Sequence, residues 1–401
     1  MGSAPIDRVQ RLAELAVGLG ANVQAGQVLG ITATLGQEEL VRAIARSAYE
    51  RGALYVDPSY FDYHVKHARL AYAPDDTLDW VPPWLGARLL AHEQLDAARI
   101  SLTGPTVPGL FDDVDPKRAG RDQLPFIKEI VEVVDRRRVN WTVVPCPVPA
   151  WAQLVYPELE PAAALEALWQ AVEHVCRLDT PDPIAAWRER ADQLARNAAT
   201  LTGLRLDRLH FVGPGTDLTV GLLPTSSWHA AGETTVSGIR HLANLPTEEV
   251  FATPDPLRTE GIVRSTKPLV NGGAVIRDLV VRFERGRAVQ IDASSGAEVL
   301  RGRAALDEGA ARLGEVALVD RESRIGKLDT VFYETLLDEN AASHIALGGG
   351  FPSGVSADER ARVNRSAIHI DFMIGSDELA VTGFTQDGRE LPLLRAGAWQ
   401  I

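Results

Sequence analysis

The stretch "QVLGITATLGQEELVRAIARSAYERGALYVDPSYFD", Gln27 to Asp62, decides the fold of the first half of the chain. "QVLGITAT" is apolar and β-prone, "EELVRAIARSAYERGA" carries apolar residues at helical spacing, and "LYVDPSYFD" is strand-like again. Strand, helix and strand in that order predict a crossover connection in an α/β layer. Working outward, "RVQRLAELAVGLGA" predicts a helix ending at Gly20, and "ARISLTGPT" a further strand ending in turn residues. "RVNWTVVPCPVPAW" predicts a strand leaving into a proline-rich loop. From Pro161 to Ala199 the pattern is helical and laced with charge. Beyond Thr202, short β-prone runs follow one another between Gly, Asn and Asp. The expected fold class is therefore α/β: an N-terminal α/β domain with crossover helices over residues 1–203, and a strand-rich α+β domain over 204–401.

Composition narrows the function. The 401 residues are 45% hydrophobic and 24% charged, ordinary for a globular protein. A formal charge of −13 argues against nucleic acid and against anionic membrane surfaces, which reward Lys/Arg clusters. Two cysteines, Cys146 and Cys176, form neither a disulfide framework nor a cysteine-rich zinc site. The N-terminal residues carry no signal-peptide pattern, and no window approaches ~18 uninterrupted apolar residues. A soluble, cytoplasmic protein is expected.

The chemistry concentrates in four motifs. In "NLPTEEVFATPDP" (Asn244 to Pro256), alternation sends one of Glu248 and Glu249 toward the core, where a carboxylate needs a partner. In "RLGEVALVD", Glu315 shares a strand face with Leu313, Ala317 and Val319, a carboxylate set among hydrophobes. In "AIHIDFMIGS", His369 and Asp371 stand side by side at i, i+2. In "YETLLDENAASH", Glu339 and His344 would diverge by roughly 140° on a continuous helix and converge only if it ends between them.

Any one of these residues alone reads as structural. Together they offer four carboxylates and two imidazoles, too many for one tetrahedral zinc. They suit two divalent ions with a bridging carboxylate, an arrangement that activates water for attack on a carbonyl or phosphoryl centre. The sequence has no HExxH and no G-x-S-x-G. "GPGTD" and "GGGFPSG" read as turns, Cys146 as a packed small residue, and His64, His67 and His210 show no ligand spacing. His229 comes closest to the site in texture, while Arg264 and Lys267 are candidates to meet a substrate carboxylate.

These motifs, with "TEGIVRSTKPL", "FVGPGTDLTVGL" and "VVPCPVPAWA", closely resemble the thermophilic-type metalloaminopeptidases, the aminopeptidase T and aminopeptidase S family, over essentially the whole chain. The resemblance implies a homodimeric peptidase that removes N-terminal residues from peptides with two divalent metal ions, zinc, cobalt or similar. Position by position, it implies the ligands Glu249, Glu315, Glu339, His344, His369 and Asp371. Glu248 is a candidate proton shuttle or a surface residue. Where the family carries an active-site tyrosine, this chain has Phe351. That departure opens the alternative of a metal-retaining binding protein with weak or no turnover; a metal-dependent phosphoesterase is a third reading.

Overall fold

The computed structural model describes residues 8–401 except 123, 126, 231, 272 and 273. It divides into two compact units, one formed by Met1–Ala191 with Ala231–Thr247, the other by Asp192–Ala230 with Glu248–Ile401.

The first unit is built on a four-stranded parallel sheet ordered Tyr55–Phe61, Val28–Thr34, Ala98–Thr103, Asn140–Pro145. The helix Glu38–Glu50 makes the first crossover, burying Leu40, Val41, Ile44, Ser47 and Ala48 along one stripe. Two glutamates in its first turn favour the helix start, and Gly52 at φ 87° lets the chain turn back after its end. The expected proline-rich loop after Pro145 is instead mostly helix: Pro149–Val155 opens with proline at the first position, where a missing N–H costs nothing.

Among the described residues the second unit contains two large antiparallel sheets and a two-stranded one, Leu269–Asn271 with Ala274–Ile276. The larger has eight strands and includes the hairpin Leu206–Gly213 and Thr216–Leu222. Pro214 and Gly215 (φ 74°) form its two-residue turn, so "GPGTD" is a turn as expected. The smaller of the two large sheets has five strands, ordered His369–Met373, His344–Gly348, Leu313–Val319, Glu249–Ala252, Trp228–Ala230. Leu313–Val319 lies at its centre and is buried at every residue. One face of this sheet carries Val250, Ala252, Val316, Leu318, Ile345, Leu347, Ile370 and Phe372, each 5% exposed or less. The registers Glu249↔Val319, Glu315↔Ala346, His344↔Ala317 and Asp371↔Ala346 place the ionisable residues together on the other face.

Candidate metal centre

Four adjacent strands deliver five of the six expected ligands. Glu249 opens its strand, Glu315 sits in the central one, His344 starts the next, and His369 and Asp371 share the edge strand. The sixth, Glu339, ends the short helix Thr335–Glu339, and four residues of chain then lead into the His344 strand. That break is the one their five-residue separation required.

Donor atoms of Glu249, Glu315 and His344 lie within 4.8 Å of one another, as do those of Glu315, His369 and Asp371. Glu315 belongs to both groups. His344 Nε2 stands 3.0 Å from Glu249 Oε2, and His369 Nε2 stands 2.9 Å from Glu315 Oε2 and 3.4 Å from Asp371 Oδ1. Glu339 lies outside both triads but is close enough to feel the charges of Asp371, Glu249, His344 and Glu315.

Both imidazoles are oriented by backbone carbonyls: His369 Nδ1 lies 2.8 Å from Gly349 O, and His344 Nδ1 lies 3.2 Å from Ala342 O. A carbonyl only accepts, so each Nδ1 carries a proton and each neutral ring presents its Nε2 lone pair to the carboxylates. Lone pair facing lone pair is repulsive unless a proton or a metal ion lies between. Glu249 Oε2 and Asp371 Oδ1 are buried and face these imidazole nitrogens as their nearest polar neighbours, so a proton or a cation must stand between them.

The electrostatics agree. Burial raises the Glu315 carboxyl against the opposing pull of His369. Burial, with the charges of Asp371 and Glu249, raises Glu339 well above the usual carboxylate range. Burial would lower His344, but Glu249 and Asp371 hold it well above the ordinary imidazole value; Asp371 and Glu315 do the same for His369. Four carboxylates against two imidazoles leave an excess of negative charge at the site. Nitrogen and oxygen donors in this number fit divalent ions of the zinc, cobalt or manganese type.

The remaining candidates separate. Glu248 is completely buried, not a surface residue, and its backbone N–H donates to Asn340 Oδ1 at 2.6 Å. Asn340, also fully buried, donates through Nδ2 to Leu336 O at 3.0 Å and to Glu339 Oε1 at 3.3 Å, orienting that carboxylate. Sequence reasoning passed over Asn340; its one signal was standing beside Glu339. Phe351 follows the His344 strand and lies edge-on to His369, with centroids 5.4 Å apart. Arg264 pairs with Asp278 at the surface. Lys267 lines a cavity of about 500 Å³ with Asp320, Ala342 and Ser343. Cys146 is buried and its thiol is pushed up to about 12, a packed residue and not a nucleophile.

Fold and site together define a candidate divalent-metal centre on an antiparallel sheet. A family model described as thermophilic metalloprotease (M29) matches residues 6–399, and the chain belongs to that family. Aminopeptidase T of Thermus thermophilus is 41% identical over 403 residues, covering 98% of each chain. Aminopeptidase 2 of Geobacillus stearothermophilus is 39% identical, covering 98% of this chain and 97% of its own. Among solved structures, wild-type AmpT from Thermus thermophilus matches with a TM-score of 0.89 at 40% identity, over 98% of this chain and 99% of that one.

Proposed function

We propose that this chain is an aminopeptidase that releases N-terminal residues from peptides, using two divalent ions held by Glu249, Glu315, Glu339, His344, His369 and Asp371. The observation that carries the reading is the sharing of Glu315 by two ligand triads. Ions such as zinc or cobalt, when bound, would polarise the scissile carbonyl and acidify a water. Glu249 and His344 hold one side of the site, His369 and Asp371 the other, and Glu315 spans both. The carbonyls of Gly349 and Ala342 keep the two Nε2 atoms turned inward. The apolar face beneath keeps water from the back of the sheet. The substrate's free α-amine would pair with one carboxylate of the cluster, which restricts cleavage to a free N-terminus. Glu248, anchored at its backbone by Asn340, is the candidate for carrying the proton to the leaving amine. We place the enzyme in the cytoplasm, as a homodimer; among the described residues no helix is long and apolar enough to cross a membrane.

Aminoacyl-p-nitroanilides with added zinc or cobalt test the reading. Turnover is expected, absent with N-acetylated substrates, abolished by a chelator and lost in Glu315→Gln. Cleavage of phosphate esters instead would point to a phosphoesterase. Phe351 favours a second reading, a metal-retaining binding protein, because its ring contacts His369 without a phenol to donate. Two bound ions with no turnover over a broad panel would establish it. Under the peptidase reading, Phe351→Tyr raises kcat by about 10²-fold by restoring one oxyanion donor.

A further inference from the structure

The ligand face also carries a row of rings. Phe251 follows Glu249 by two residues, so its side chain shares that face, and it pairs across the ladder with His229 on the edge strand. The Phe251 and His229 rings lie 5.8 Å apart. Phe251 lies 5.1 Å from Phe351 at an interplanar angle of 57°, and Phe351 meets the ligand His369 at 5.4 Å. Phe251, Phe351 and His229 are all partly exposed, whereas the opposite sheet face is sealed.

The row is held in place. Thr253, 1% exposed, accepts the N–H of Phe351 at 3.2 Å and donates to its carbonyl at 3.0 Å. At the far end Ser227 Oγ donates to Gly354 O at 3.1 Å, so His229 Nε2–H donates to Ser227 Oγ at 2.9 Å. Rings fixed in this way make a pre-organised surface that loses little entropy on binding.

We propose that Phe251 and Phe351 form the wall that receives the side chain of the substrate's N-terminal residue, selecting bulky apolar side chains. The proposal rests on the aminopeptidase reading. An N-terminal residue whose amine and carbonyl sit at the ligand cluster projects its side chain only a few ångströms outward, about the distance from His369 to the first ring. Leucine or phenylalanine buries apolar surface there and alanine very little, a difference of roughly 10–100-fold in kcat/KM. Lysine or glutamate would lose hydration against two uncharged rings.

The test compares wild type and Phe251→Ala, both loaded with cobalt, on Leu-, Phe-, Ala-, Lys- and Glu-p-nitroanilides, with calorimetric binding of leucine hydroxamate and glycine hydroxamate alongside. Wild type should prefer Leu and Phe to Ala by at least ~10-fold. Phe251→Ala should cut that preference by ~10-fold, keep its metal content, and weaken leucine hydroxamate but not glycine hydroxamate. An unchanged Leu:Ala ratio in an active variant, or a wild-type preference for charged residues, overturns the wall and leaves the peptidase standing. No turnover by wild type, with leucine hydroxamate still weakened in the variant, overturns the peptidase and leaves the wall. No turnover and no difference between the hydroxamates overturns both. Phe351→Ala, which removes the other ring of the wall, carries the same comparison if the Phe251→Ala variant does not fold.

Discussion

Glu315 Oε2 stands 2.9 Å from His369 Nε2, and the Nδ1 of the same ring is 2.8 Å from the carbonyl of Gly349. One ring is thus fixed at both nitrogens, and the nitrogen turned toward the carboxylate is the one a metal would take. Without a metal, the simplest occupant of the Nε2–carboxylate gap is a proton.

Metal uptake should therefore release protons. Both imidazoles sit well above their ordinary value of 6.5, so protons compete with metal through neutral pH and not only below it. The sign follows: apparent metal affinity rises with pH through neutrality and falls steadily on acidification. Calorimetry in buffers of different ionisation enthalpy measures the proton count. A count of zero would mean that the imidazoles are not displaced by metal.

Asn340 ties the Glu248 backbone to the Glu339 carboxylate. Asn340→Asp keeps the acceptor but sets a second carboxylate against Glu339. We expect about 10–100-fold weaker metal binding with an unchanged circular dichroism spectrum. Asn340→Ala should instead lower stability by about 1–3 kcal/mol, because buried backbone groups lose their partner. Equilibrium dialysis and urea unfolding separate the two effects.

Gly348 has φ 111°, and a Cβ there would stand 2.1 Å from the Ile368 carbonyl. Neither the backbone angle nor the space admits a side chain. Gly348→Ala should cost about 2–4 kcal/mol and shift the Gly349 carbonyl that orients His369. Denaturant midpoints and metal content should fall together; a stable variant with full metal content would count against this account.

Cys146 and Cys176 are both buried, and burial raises both thiols. With Cys146 at about 12, only about 10⁻⁴ of it is thiolate at pH 8. Neither should react with a chromogenic disulfide in the native protein, and both should react in guanidinium. Cys146→Ala should retain activity, which an essential nucleophile would not allow.

How much of this was legible beforehand depended on the range of the interaction. Glu249, Glu315, His369 and Asp371 announced themselves because a charge at a period-two position among hydrophobes is a local anomaly. The end of the helix at Glu339 was deducible because His344 could not otherwise turn to the same side. The Asn340 clamp, the Gly349 carbonyl and the Thr253 grip on Phe351 were not, since each joins segments whose proximity only the folded chain creates. Glu248 was misjudged as a surface candidate because alternation assigns a side but not a depth. The helix after Pro145 was missed because prolines were read as breakers, although one of them sits where a helix begins. Nothing in the local texture of Ala231–Thr247 showed that it would join the first unit.

The placement of the candidate ligands on neighbouring strands has a mechanical result. Two ions held there would rivet rungs of one ladder whose spacing, about 4.8 Å from strand to strand, is fixed by peptide hydrogen bonds. Exchanging one divalent cation for another should then alter reactivity while barely changing the gauge of the site, and stripping the cations should loosen the sheet edge that carries His369 before any other part of it.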